Sequence, residues 1–193
     1  MPKRISELHC IMPIENVGSV LEYGILCHEG AGKLKHSSVA MDEIQNKRDG
    51  VQIPGGLKLH QYANLYFDAR NPMMYKRKHL AASICVLRVS DEVMRLDGVV
   101  LSDQNASSKY ARFFSLAQIR QINFEWVYAE DWRHPEDEIM GWRHKSAKCA
   151  EVLVPHAVPV EYIQGVYVVN EEAKGLLKES GLDITVNSHI FFA

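Results

Sequence analysis

Lys148-Cys149-Ala150-Glu151-Val152-Leu153-Val154-Pro155 sets one carboxylate at the entrance to an apolar run too short and too β-branched for a helix core. The run predicts a strand over Glu151 to Val154 that opens on a glutamate. A carboxylate fixed at a sheet end beside a cleft can stabilise a developing positive charge in a low-dielectric site. From position alone, a strand-end glutamate paired with Lys148 or Lys145 is the competing reading.

Outward from that strand, aromatic or β-branched runs predict further strands over Ala63 to Phe67, Ser83 to Val89, Val99 to Leu101, Tyr162 to Val169 and Ile184 to Phe192. Pro13, Ile14, Val17, Leu21 and Gly24 have the order of a short amphipathic helix, with proline in its first turn and glycine just past its end. Val39 to Lys47 predicts a helix that delivers Arg48 at its C-terminal end. Ser115-Leu116-Ala117-Gln118 has capping-box spacing and opens a helix through Ile122, and Glu171 to Glu179 predicts another, ended by Gly181. The segment from Glu125 to Lys148 lacks either periodicity and is expected to be a long irregular loop, which in a compact domain points to function. Strands and helices mix without βαβ alternation, so the fold class expected is α+β around a mainly antiparallel sheet. No G-x-G-x-x-G follows a strand, which leaves a Rossmann reading without support.

The length, 193 residues, fits one domain spanning 1–193 that buries a core without disulfides or structural metal. Apolar residues at 47% and charged residues at 24% exclude a disordered chain. Cys10, Cys27, Cys85 and Cys149 form no C-x-x-C pair, and no signal peptide precedes them, so a reducing cytoplasm is expected. No run reaches the roughly 18 apolar residues of a membrane span. A net charge of −2 argues against a bulk electrostatic hold on nucleic acid. Any such site must be local. The candidates are Tyr75 to His79 and Arg143 to Lys148, each of which also reads as a solvated turn.

Individual residues leave choices open. His9 can bond a ligand hydroxyl or be structural. The nine histidines show no ligand spacing, so no metal is expected. Arg48 is a solvated helix end or a fixed cation for phosphate, which guanidinium suits better than ammonium. Asp103 and Asn105 organise a turn. Trp126, Trp132 and Trp142 either stack on bases or pack the irregular segment onto the sheet.

Taken in order, several blocks resemble the DarT family of DNA ADP-ribosyltransferases: His9 followed by a short helix carrying Asn16, Arg48 at the next helix end, the aromatic run into Arg70-Asn71-Pro72-Met73-Met74-Tyr75, the turn Ser102-Asp103-Gln104-Asn105-Ala106, and Ala150-Glu151-Val152-Leu153-Val154. Together they cover nearly the whole chain. The resemblance implies an ADP-ribosyltransferase-like fold with a split sheet flanked by helices, and NAD as ADP-ribose donor without a metal. It implies that His9, with the backbone at Leu8 and Cys10, holds nicotinamide and its ribose, that Asn16 shapes that pocket, that Arg48 faces the phosphates and the incoming base, and that Glu151 binds the nicotinamide ribose. Glu151 and Arg48 would be the catalytic pair. The segment ending at Glu151 would be the substrate-recognition loop, with Met74, Tyr75, Lys76, Arg77, Lys145 and Lys148 contacting DNA. The implied activity is that of a toxin that modifies a base of single-stranded DNA, thymidine ahead of guanosine. Its implied partner is a macrodomain antitoxin that removes the ADP-ribose. A non-catalytic nucleic-acid-binding module of the same fold is the reading from a different class.

Overall fold

The computed structural model describes residues 5–34, 36–38 and 42–193. The strands among them are β1 Glu7–Pro13, β2 Ile25–Leu26, β3 Tyr62–Tyr66, β4 Ile84–Ser90, β5 Val100–Ser102, β6 Phe113–Phe114, β7 Glu151–Pro155, β8 Ala157–Val158, β9 Ile163–Val168 and β10 Ile184–Val186. The helices are α1 Val17–Tyr23, α2 His28–Ala31, α3 Asp42–Asp49, α4 Pro72–Arg77, α5 Phe124–Val127, α6 Glu138–Ala147 and α7 Glu171–Leu177, with short 3-10 turns between.

Eight strands form one sheet in the order β10-β9-β4-β1-β3-β7-β5-β6. Each neighbouring pair is antiparallel except β10 with β9. The expected α+β class around a mainly antiparallel sheet is what forms. Leu8, Leu65, Leu87, Val152 and Val166, one from each of five adjacent or near-adjacent strands, are wholly buried. Each such side chain contributes about 1.5–3 kcal/mol on burial.

One irregularity positions everything that follows. β1 pairs with β4 along its full length, from Glu7↔Ser90 to Pro13↔Ile84, yet meets β3 at the single register pair His9↔Tyr66. Past His9 the two strands part, and the sheet is split. Pro13 ends β1 in an extended conformation and is followed by a 3-10 turn, Ile14–Asn16, and then α1, which buries Val17 and Val20. Gly24 caps α1 at φ 79°, where a Cβ would lie 2.3 Å from the Val158 carbonyl oxygen. Only glycine fits there.

Three expectations require correction. Glu125 to Lys148 is not one irregular loop: it holds most of α5 and all of α6. The ten-residue α6 is fixed by its ends and by one buried face rather than by apolar periodicity, because Asp137 accepts the Met140 backbone N–H at 2.8 Å while His144 is buried inside. The strand expected to run to Phe192 stops at Val186, and a 3-10 turn over Ser188–Phe191 buries Phe191. The helix opened by Ser115 is a 3-10 turn, Leu116–Gln121, with its capping box formed. Of the helix expected over Val39 to Lys47, residues 39–41 lie outside the described residues, and the rest belongs to α3.

Candidate active site

Glu151 is the first residue of β7, between Tyr66 of β3 and Ser102 of β5. It is 0% exposed. The last turn of α3 brings Arg48 over it, and Arg48 Nη1 donates to Oε1 at 3.2 Å and to Oε2 at 3.0 Å. The turn Ser102 to Ala106 completes the cage: Ser102 Oγ donates to the Gln104 carbonyl at 2.7 Å, Asn105 N–H donates to the Ser146 carbonyl at 3.1 Å, and Ala106 N–H reaches Glu151 Oε1 at 3.0 Å. The turn thus delivers a backbone donor to the carboxylate. A buried charge is tolerated because it is both paired and hydrogen-bonded.

Opposed residues on antiparallel strands share a face. His9 opposes Tyr66, and Tyr66 opposes Glu151, so the three stand in one row across β1, β3 and β7. Two strand spacings separate His9 from Glu151 along that row, about 10 Å. Burial, and then the Glu151 charge, hold the Tyr66 hydroxyl well above its usual pKa, so it stays protonated. His9 Nε2 lies 3.3 Å from Glu7 Oε1, while its Nδ1 is buried and has no partner among the described residues.

The split between β1 and β3 opens a cleft of about 460 Å³, a volume suited to a small-molecule ligand. Cys10 to Pro13 form one wall, Asn64 and Tyr66 the floor, and Arg48 projects from α3. Asn16 lines the cleft and grips the facing segment reciprocally, donating to the Ser37 carbonyl at 2.6 Å and accepting the Ser37 N–H at 3.2 Å. Leu8 is wholly buried in the core and does not line the cleft. Burial pushes the thiols of Cys10 and Cys149 up to about 12, which rules out either as a thiolate nucleophile at neutral pH.

The residues grouped for DNA contact fall into two sets. Lys76 and Lys145 are exposed and line the cleft mouth. Tyr75 is 49% exposed, packed edge-on against Phe192 with Lys78 above its ring, and Arg77 is half-buried in the same helix. Met74 and Lys148 do not belong with them. Met74 is 0% exposed, inside the core under α4, and Lys148 is 1% exposed, with Nζ bonded to the Asp68 carboxylate and, at 2.8 Å, to the Val127 carbonyl. Lys148 braces the sheet edge from inside.

The tryptophans also separate. Trp126 stacks on His144 at 4.8 Å, and Trp132 packs against Tyr75 and Phe192. Trp142 is 62% exposed and lines the cleft mouth beside Lys145. His144 Nε2 donates to the Trp126 carbonyl at 3.1 Å, so its Nδ1 accepts from His134 Nε2 at 2.8 Å. Burial lowers the His144 pKa, which favours the neutral ring that this arrangement uses. Tyr66, Asn64 and the Ala106 N–H were not singled out from sequence. Tyr66 sat inside a run that signalled only a strand, and its role as the link between His9 and Glu151 comes from register.

Among the described residues, no group of three or more His, Cys, Asp or Glu side chains could hold a metal ion, and no helix is long and apolar enough to cross a membrane.

The model of the family described as "ssDNA thymidine ADP-ribosyltransferase, DarT" matches residues 9–192. A DNA ADP-ribosyl transferase–DNA ADP-ribosyl glycohydrolase fusion protein of Thermosipho africanus is 30% identical over 189 residues, covering 92% of this chain and 46% of the fusion. The chain therefore spans about half the length of that relative. The structure of Thermosipho africanus DarTG in complex with ADP-ribose superposes with a TM-score of 0.85 at 29% identity, covering 97% of this chain and 51% of the other. Thermus sp. 2.9 DarT in complex with ADP-ribosylated ssDNA gives 0.82 at 26% identity, covering 99% and 100%.

Proposed function

The chain belongs to the DarT family, and on that premise we propose that it is an NAD-dependent enzyme that transfers ADP-ribose to thymidine in single-stranded DNA. The observation that carries this reading is the row His9, Tyr66, Glu151 beside a cleft into which Arg48 projects. The relatives supply the chemistry by name, one bound to ADP-ribose and one to ADP-ribosylated ssDNA. Residues 1–193 act as one ADP-ribosyltransferase domain. The fusion of a relative to a DNA ADP-ribosyl glycohydrolase supports a partner activity of that kind, a macrodomain antitoxin that removes the adduct in the cytoplasm.

Cleavage of the nicotinamide bond sends the bonding electrons out with nicotinamide and leaves an oxocarbenium-like ribose. Glu151, wholly buried with Arg48 and the Ala106 N–H on its oxygens, acts by its fixed negative charge, which stabilises that ribose more in the transition state than in the ground state. N3 of an unpaired thymine then forms the new bond at C1′ as its N–H bond breaks and the proton passes to solvent water. Arg48 cannot take that proton, because a guanidinium offers only donors and no acceptor site. It stabilises the pyrophosphate and the anionic character of the base. His9, the backbone at Cys10, and Asn16 hold the dinucleotide, while Tyr75, Lys76, Arg77 and Lys145 meet the strand.

The direct test incubates the protein with labelled NAD and matched oligonucleotides, single-stranded or annealed. A single strand containing thymine is expected to take label, and its duplex to react at least about tenfold more slowly, because unpairing a base costs a few kcal/mol. Mass mapping locates the adduct. Equal labelling of both forms counts against an unpaired acceptor, an adduct confined to guanine moves the acceptor without moving Glu151, and no label at all favours a binding module.

Trp142 carries a second expected result. Its exposed ring at the cleft mouth is placed to stack on a base next to the acceptor, a contact worth about 1–3 kcal/mol. Trp142→Ala is expected to raise KM for the oligonucleotide roughly tenfold with little change in kcat. An unchanged KM assigns the ring to packing.

A further inference from the structure

Glu7 precedes His9 by two residues on β1 and shares its strand face. Its carboxylate is held from three sides: His9 Nε2 lies 3.3 Å from Oε1, the Tyr167 hydroxyl donates to Oε1 at 2.7 Å, and Arg88 Nε donates to Oε2 at 2.9 Å. Arg88 is itself fixed at its far end, where Nη1 donates to Asp183 Oδ2 at 2.8 Å. Gly165, opposite Arg88 on β9, lets the strand pass the Asp183 backbone, since a Cβ there would lie 2.5 Å from the Asp183 carbonyl oxygen. The His9 bond first, then the Arg88 and Tyr167 bonds, outweigh burial and hold the Glu7 pKa down to about 2.

An ionised carboxylate only accepts hydrogen bonds, so His9 carries its proton on Nε2. In the neutral ring Nδ1 is then an acceptor with no proton of its own. That Nδ1 is buried and has no partner among the described residues. Buried polar atoms are nearly always satisfied, and one left open on the face that carries Tyr66 and Glu151 points to a donor arriving with a ligand.

We propose that Glu7 is a positioning residue for the dinucleotide site: it locks His9 in the Nε2–H form and so presents Nδ1 as an acceptor for a hydroxyl or amide N–H of the bound nucleotide. The inference rests on the assignment of His9 to the NAD pocket. A ribose hydroxyl or the nicotinamide carboxamide satisfies Nδ1, whereas a phosphate or carbonyl oxygen at the same place is repelled. Glu7 touches no reacting atom, and it acts through His9.

The test joins NAD titrations with nitrogen-15 NMR of the histidine rings, His9 being identified by the signals lost in His9→Ala. The parent is expected to show the Nε2–H form of His9, and Glu7→Gln, whose amide can present either oxygen or nitrogen, a mixture of forms. NAD affinity is expected to fall roughly tenfold in His9→Ala, as for one lost hydrogen bond to a positioned group, and about twofold to threefold in Glu7→Gln, where only part of the ring population presents an acceptor. The double variant is expected to match His9→Ala, because Glu7 has no route to the ligand except that ring. An Nδ1–H ring for His9 in the parent overturns the proposal. So does a Glu7→Gln loss that adds in full to that of His9→Ala. If His9→Ala binds NAD like the parent, the placement of His9 is wrong and the role of Glu7 falls with it. Loss in His9→Ala but not in Glu7→Gln removes only Glu7.

Discussion

Glu151→Gln is expected to lower ADP-ribosyl transfer by about two to three orders of magnitude while NAD still binds, since removal of one preorganised charge-stabilising group costs that much in rate. Glutamine is the informative replacement because of where the carboxylate sits. Glu151 is wholly buried, with Arg48 bonded to both oxygens and the Ala106 N–H bonded to one. Alanine would leave the Arg48 guanidinium, itself 6% exposed, with neither counter-charge nor acceptor and would open a cavity beside it. Removing one partner of a buried pair costs about 3–5 kcal/mol, so a dead Glu151→Ala would confound chemistry with folding. The glutamine amide keeps an acceptor for Arg48 and the side-chain volume, but it removes the negative charge that faces the oxocarbenium-like ribose. Single-turnover transfer to an oligonucleotide, measured with NAD titration and the thermal midpoint, separates the two effects. A folded Glu151→Gln protein that transfers at near the parent rate would remove Glu151 from the reaction.

Strands were legible wherever side-chain chemistry alone sets them. Ile84 to Ser90 and Glu151 to Pro155 are β-branched runs buried in a central sheet, and both appear within a residue of expectation. What depends on partners distant in sequence was not legible. Lys148 sits in a basic cluster and reads as surface, but Asp68, 80 residues away, neutralises it inside the fold. Met74 follows the same logic, because only the packing of α4 decides which of its residues face the core. α6 carries no apolar stripe; its capping aspartate at 137 was the local signal, and the His134–His144–Trp126 chain that seats the helix is tertiary. The resemblance identified Glu151, Arg48 and His9, but their juxtaposition follows from register, as does the place of Tyr66 between them. The split itself depends on β1 leaving β3 after one pair. No residue type announces that.

Arg48 separates charge from geometry, and its variants are expected to do the same. Arg48→Ala removes the counter-charge of a carboxylate that is 0% exposed. Stability is expected to fall by about 3–5 kcal/mol, a drop in thermal midpoint of roughly 10 °C for a domain of this size. Transfer is expected to fall by about two orders of magnitude or more, as both the ground-state pairing of Glu151 and the cation facing pyrophosphate and base are lost. Arg48→Lys restores the charge, and the thermal midpoint is expected to return most of the way. Transfer is not. A single nitrogen, Nη1, makes both contacts to Glu151, so the rest of the planar guanidinium remains to meet phosphate oxygens or the base while the carboxylate stays held. An ammonium is one compact donor group and cannot keep the carboxylate and span to the ligand in the same fixed plane. The expected signature is therefore near-parent stability with transfer still depressed by about tenfold or more. If the lysine variant matched the parent in both, Arg48 would act as a point charge alone, and the second catalytic role assigned to its fork would have to be withdrawn.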